Sequence, residues 1–303
     1  MAFSFDQLAD QVRNIIDRPI SAKDGAPTVK DEAIDLVRTV GIAVGVALIL
    51  RVVLFQPFNI PSGSMKPTLE VGDYLFVSKY TYGYSRASLV WPLTRLGVDG
   101  RTPGAQPKRG DVVVFKNPEE RVRRAIAGFD PTLSEAELDK RLARTSRHYN
   151  KDYIKRLVGL PGDKIEVREG VLYINDQAVE REYLGEREAD CGVVGAPNYR
   201  QVPFYRETMP GGKSYIVREC DGDRGRYDNV GPYFVREGNY FMMGDNRDGS
   251  EDSRADVGQV PYTNIVGKAQ FIFFSADGKK AQLWEVWKWP FAIRYGRIFN
   301  GVR

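Results

Sequence analysis

Apolar positions along this chain fall into two regimes. Between Leu36 and Phe55 they run almost unbroken: Val40 to Leu50 is continuous, and after Arg51 the run resumes as Val52, Val53, Leu54 and Phe55. At about 1.5 Å per helical residue, some twenty residues cross a hydrocarbon core near 30 Å. The stretch has no polar face, and Arg38 and Arg51 lie near its ends, where arginines snorkel to headgroups. The pattern predicts one membrane-spanning helix over residues 36–56, with a buried core helix as the alternative. Arg13, Arg18, Lys23, Lys30 and Arg38 precede it and only Arg51 and Lys66 follow closely. That asymmetry places residues 1–35 inside and the bulk of the chain outside. A cleavable leader would carry its apolar segment nearer the terminus, ahead of an A-x-A-like site.

Beyond the span the pattern shortens. Tyr74–Val77, Asp111–Phe115, Val171–Ile174 and Gln270–Phe274 are β-rich runs separated by turn signals. Runs of this kind predict a mainly β, antiparallel domain over residues 57–303. One helix is expected at Ser134–Arg144, where Ser134 and Glu137 have capping-box spacing and Leu138 and Leu142 share a face. It would form a helical insertion at 119–150. Residues 183–239, rich in Gly, Arg and Asp, read as an irregular inserted subdomain. Near the end, Trp284, Trp287 and Trp289 fit a membrane interface and equally fit packing on the β domain.

Composition narrows the chemistry. Charged residues make up 28% of the chain with a net charge of +4 and mixed signs, so no nucleic-acid stripe emerges. His148 is the single histidine, in a charged stretch without a motif. A histidine-based metal site therefore lacks a second imidazole, and Cys191 and Cys220 lack zinc-site spacing. A hydrolase built on this chain needs a base other than histidine.

Three fragments could supply one. Pro61-Ser62-Gly63-Ser64-Met65 describes a rigid exposed turn able to hold a hydroxyl forward, although the same residues are ordinary loop chemistry. Tyr153-Ile154-Lys155-Arg156 reads as a strand entering a Gly-Leu-Pro-Gly-Asp turn. Alternation lets Lys155 point into a pocket while Arg156 stays in solvent. Gly244–Arg254 is a loop of carboxylates, arginines and hydroxyls. An EF-hand reading fails, because aligning Gly249 with the required glycine puts Gly244 and Ala255 at ligand positions.

Together with the apolar span ending in Arg51 and the strand around Lys116, these fragments occur in one order, and in that order the chain resembles the type I signal peptidases. The resemblance covers the anchor and the β core. It implies a membrane-bound serine endopeptidase of the bacterial inner membrane that removes signal peptides from preproteins. Ser64 would be the nucleophile and Lys155 the general base. Ser62 would join the Ser64 N–H in the oxyanion hole, and Ser250 would orient the lysine amine. Asp245, Arg247, Asp252 and Arg254 would form the supporting network, with the two carboxylates bracing the site through the two arginines and not touching the amine. Phe58, Ile60, Met65, Leu69, Tyr153 and Ile154 would wall the pockets for small residues. No cofactor, metal or obligate protein partner is implied, and the partners are preproteins and the lipid bilayer.

Two further expectations follow. A domain in an oxidising compartment predicts a Cys191–Cys220 disulfide. Lys66, two residues from Ser64, is expected to be exposed and not to serve as the base, since a neutral amine needs shielding from water. A self-cleaving repressor with the same dyad would need a helix-turn-helix unit that residues 1–35 do not offer.

Overall fold

The structure, a computed structural model, describes residues 29–85, 87–88, 100–117, 151–192, 196–255, 257–277 and 286–303, with the backbone alone for 29–31 and 47–53. The chain divides into a unit ending at Val52 and a second from Val53 to Arg303. The first contains helix α1, Val29–Val53, on which Leu36, Val37, Val40, Val44 and Val46 are exposed. The apolar run does form a helix, but its last expected residues, Phe55 and Gln56, belong to a strand. Among the described residues no helix is long and apolar enough to cross a membrane.

Among its described residues the second unit is mainly β, as the run pattern predicts. Its strands are β1 (Phe55–Asn59), β2 (Asp73–Ser78), β3 (Val112–Lys116), β4 (Asp152–Gly159), β5 (Lys164–Arg168), β6 (Val171–Ile174) and β7 (Gln177–Ala178). After them come β8 (Glu180–Asp190), β9 (Tyr199–Thr208), β10 (Ser214–Arg218), β11 (Val230–Phe234), β12 (Asn239–Met243), β13 (Val260–Pro261) and β14 (Ile265–Ser275). They form a seven-stranded sheet in the order β1-β2-β14-β3-β4-β12-β13, a four-stranded sheet β11-β5-β6-β7 and a three-stranded sheet β10-β9-β8. The strand pairs within the three sheets are antiparallel.

Both faces of the large sheet are covered, which explains the continuous apolar run of β3. Val112 and Val114 pack with Ile60, Met65, Leu69, Leu75 and Val77 on one face. Val113 and Phe115 pack with Tyr82, Leu157, Met242 and Val260 on the other. A strand buried on both sides reads as continuous, and one with a wet face alternates. Double coverage also overturns the expectation for Arg156, which is not in solvent but only 1% exposed.

Residues 183–239 are not irregular. They hold most of the three-stranded sheet together with β11, and Asn239 already begins β12. Much of β8 and β9 is solvent-exposed and carries charge, so neither strand shows a hydrophobic alternation to read. Cross-strand pairs hold them: Arg206 to Glu182 at 2.6 Å, and the Tyr183 and Tyr205 rings 5.6 Å apart. The expected helix at Ser134–Arg144, and His148, lie outside the described residues. At the C-terminal end Trp287 and Phe291 are strongly exposed, 68% and 80%, so neither is packed on the β domain; Trp284 lies outside the described residues.

Cys191 and Cys220 are bridged, with Cα atoms 5.8 Å apart, tying the end of β8 to the residues just after β10. The bridge closes a loop of 29 residues. Removing it by reduction, or as Cys191→Ala with Cys220→Ala, is expected to cost about 3–4 kcal/mol on the loop-entropy account. Urea unfolding with and without reductant measures this, and coincident midpoints would refute it.

Candidate active site

Three segments distant in sequence meet because of the order of the large sheet. The β1–β2 connection is closed by the Ile60 N–H donating to the Asp73 carbonyl at 2.9 Å, and it presents Ser62 to Leu69 as a compact turn. Strand β4 runs beside β12 with Arg156 opposite Met243, so the loop beginning at Gly244 emerges next to Lys155 and Arg156. That loop then grips the turn. The Asn246 N–H donates to the Ser64 carbonyl and its Nδ2 to the Gly63 carbonyl, both at 3.1 Å.

Within this junction Lys155 Nζ lies 2.5 Å from Ser64 Oγ. Both residues are buried, Lys155 being 4% exposed. Burial draws the Lys155 pKa down to about 8; Asp252, Asp245 and Glu251 pull it back up, and Arg254 opposes them. Among the described residues Ser64 Oγ is the only hydrogen-bond partner of the amine. Ser62 Oγ lies 3.5 Å from Ser64 Oγ, on the open side of the turn. An amine held this close to a hydroxyl, and half neutral near pH 8, can take the hydroxyl proton.

The carboxylates are kept off the amine by arginines, though only one of the two arginines is among those expected. Arg254 holds Asp252, through Nε at 3.0 Å and a terminal nitrogen at 2.9 Å. Burial pushes the Asp252 carboxyl up, but Arg254 and the Gly244 N–H outweigh it and leave it below the usual range. Asp245 pairs not with Arg247 but with Arg156, two-pronged at 2.7 Å on each oxygen, and accepts the Thr68 hydroxyl at 2.5 Å. Arg247 turns the other way, to Glu207 on β9, at 2.6 Å on one oxygen. The Arg156 guanidinium stacks 3.9 Å from the centroid of Tyr215, whose hydroxyl donates to Glu207 at 2.8 Å. Thr68, Arg156, Tyr215 and Glu207 were not anticipated from sequence. Arg156 stood beside Lys155 in a fragment already singled out, whereas nothing marked Glu207 among the charges of its strand.

Ser250 also departs from expectation. Its Oγ is buried without a hydrogen-bond partner among the described residues, so the bond to the lysine amine is not made. It packs instead over Gly244, where a Cβ would stand 2.6 Å from the Ser64 carbonyl oxygen and closer still to the Ser250 side chain. Glycine at 244 is therefore what lets the loop reach the turn that carries Ser64.

A cavity of about 660 Å³ opens beside Ser64. Phe58, Ile60, Tyr153 and Ile154 line it with Val114, as expected of pocket walls. Met65 and Leu69 do not: at 1% and 0% exposed they sit in the core beneath the turn. Lys66 is partly buried, not exposed, and its amine lies 3.5 Å from Glu70. The opposite lining is polar and comes from Asp190, Cys191, Gly192, Arg218 and Asn246.

Arg156→Met would strand the buried Asp245 carboxylate and is expected to cost about 3–5 kcal/mol. Adding Asp245→Leu should recover most of that loss. Thermal melts of the two variants check this, and a double variant no better than the single one would contradict it.

The family model for "Signal peptidase, peptidase S26" matches residues 33–274. The signal peptidase I of Rickettsia typhi is 36% identical over 277 residues, covering 85% of this chain and 89% of its own length. That of Rickettsia conorii is likewise 36% identical, over 85% of this chain and 88% of its own. A crystal structure of a signal peptidase I from Enterococcus faecalis V583 is 21% identical and covers 54% of this chain and 97% of its own, with a TM-score of 0.26, too low to bear on the fold. On the family match and the extent of these identities, the chain belongs to the peptidase S26 family and is a serine endopeptidase of the signal peptidase I type.

Proposed function

We propose that this enzyme removes signal peptides from exported preproteins, cutting after a small residue at an A-x-A-like site, with Ser64 as nucleophile and Lys155 as general base. The observation that carries the reading is the 2.5 Å contact between a buried amine with its pKa lowered to about 8 and the Ser64 hydroxyl. As Ser64 Oγ attacks the scissile carbonyl, the neutral amine takes its proton. The oxyanion is met by the Ser64 N–H and the Ser62 hydroxyl. Collapse expels the new N-terminus of the mature chain, which receives the proton from Lys155. Lys155 then deprotonates a water that hydrolyses the acyl-enzyme, and the signal peptide leaves as a carboxylate. Asp245, Arg247, Asp252 and Arg254 keep the surroundings of the amine rigid, and Ser250 spaces the loop against the turn. Phe58, Ile60, Tyr153 and Ile154 leave room for small side chains before the cut.

The enzyme works at the bacterial cytoplasmic membrane. The apolar part of helix α1 supplies a single-pass anchor, with the β domain that begins at Phe55 on the extracytoplasmic side. From Leu36 to Val53 it amounts to roughly 27 Å at about 1.5 Å per residue. The exposed Trp287 and Phe291 suit contact with the headgroup region. No cofactor and no obligate protein partner enter the mechanism.

Incubating the detergent-solubilised chain with a preprotein and mapping the new N-terminus tests the activity; a cut after a small residue is expected. Ser64→Ala and Lys155→Ala should each lower kcat by about a thousandfold or more, while Lys66→Ala keeps most activity. The reverse pattern for the two lysines would remove Lys155 from its role. The rate should rise with pH along a limb near 8, because the amine is protonated and idle below that value and neutral above it. Between pH 8 and 6 the neutral fraction falls from about one half to about 1%, so the rate should drop roughly fiftyfold. A limb near 6.5 that disappears in His148→Ala would sink the lysine mechanism.

A further inference from the structure

The described residues include four buried arginines, Arg156, Arg218, Arg247 and Arg254. Three are held by carboxylates: Asp245, Glu207 and Asp252. Arg218 is the exception. Its guanidinium donates to the Asp190 backbone carbonyl at 2.8 Å, and among the described residues its Nε is buried without a partner and no carboxylate forms an ion pair with it. Glu70 and Asp190 are near enough to be felt electrostatically but do not pair with it. A guanidinium cannot shed its proton to escape this situation. A buried charge without a counter-charge is costly unless something that arrives later completes it.

Arg218 is also part of the cavity wall beside Ser64. It stands at the end of β10, bridged to Asn246, with its N–H on the Asp245 carbonyl and its carbonyl accepting from Arg247. The loop that grips the nucleophile therefore fixes its position too. Phe58, Val114, Tyr153 and Ile154 on β1, β3 and β4 give most of the apolar lining, with Asp152 and Lys155 of β4 beside them, whereas Asp190, Cys191, Gly192 and Arg218 come from β8, the residues after it and β10, and Glu251 from the Gly244 loop. If residues before the cut occupy the apolar wall, the chain after the cut is left with the polar one.

We propose that Arg218 is a specificity residue that binds a side-chain carboxylate within the first few residues of the mature chain, after the cut. The proposal rests on the proteolytic reading above and adds to it a preference for acidic leaving segments. The Cys191–Cys220 bridge holds the Asp190 carbonyl and Arg218 in one unit, so the cation is pre-positioned before substrate enters.

The test uses the full solubilised chain and a peptide with an A-x-A site followed by five glutamines. Glutamate replaces each of those five in turn, and separately each of the three residues before the cut. Wild-type enzyme is expected to show a kcat/KM about tenfold higher for at least one peptide with glutamate after the cut. That preference should shrink as salt rises from about 0.05 to about 0.5 M. Arg218→Met, which removes an unpaired charge and should melt no lower than wild type, is expected to bring the ratio to about one, and Arg218→Gln to do the same. A flat wild-type series overturns the proposal. So does a preference that survives both variants, resists salt, or appears only before the cut. Failure to cleave even the parent peptide would instead defeat the proteolytic reading, so the two can fail separately.

Discussion

Keeping one amine dry is the constraint around which the site is built. Lys155 is neutral at accessible pH only because burial penalises its charged form, and any carboxylate allowed to pair with it would restore that charge. Yet the loop that must lie beside it carries Asp245, Glu251 and Asp252. The fold resolves the conflict by giving Asp245 and Asp252 to arginines. Arg156 is the immediate chain neighbour of Lys155, so the strand that delivers the amine also delivers the cation that occupies Asp245. Arg254 folds back onto Asp252 two residues away, a closure set by the loop itself. What reaches the amine is the residual field of paired charges, which raises its pKa only part of the way back.

This arrangement makes the loop from Gly244 to Arg254 a joint between sheets. Its start continues β12 in the seven-stranded sheet, its backbone pairs with Arg218 at the end of the three-stranded sheet, and Asn246 holds the carbonyls of Gly63 and Ser64. Arg247 then reaches Glu207 in β9, and Tyr215 connects that pair to the stacked Arg156. Buried polar networks stabilise only when every member is satisfied. Loss of one arginine is therefore felt across two sheets, and the position of Ser64 relative to Lys155 depends on the β8–β10 unit as well as on β4.

What could be read in advance follows from the same geometry. The strands β2, β3, β4, β6 and β14, the serine turn and the lysine strand were legible because each is a local signal: a β-branched run, a Pro-Ser-Gly-Ser turn, a strand ending in Pro-Gly. Arg156 was misplaced because alternation tells which residues face opposite ways, and not whether both faces are covered. Met65 and Leu69 lie on the turn that carries Ser64, but the turn directs them beneath itself into the core, a choice set by the packing of Val77 and Val112 and invisible in local sequence. Arg247 shares its loop with the acids it was expected to brace, whereas its partner Glu207 sits on a strand forty residues away. The β8–β9 hairpin escaped notice because its charged, partly exposed strands, held by cross-strand pairs, carry little hydrophobic rhythm.

The proposed use of a lysine in place of a histidine as the base has a structural consequence of its own. An imidazole near pKa 6.5 is half neutral without help and can work in a wet cleft, but an amine near 10.4 needs walls. Those walls are the turn from Ser62 to Leu69, the covered face of β4 and the Gly244 loop, and all three must close before the amine can serve. Close approach at Gly244 leaves no room for a Cβ, which would meet the Ser250 side chain and the Ser64 carbonyl oxygen. The cavity beside Ser64 is lined by Lys155 as well. Dryness at the amine and access at the hydroxyl, which oppose each other, are thus required of one and the same wall.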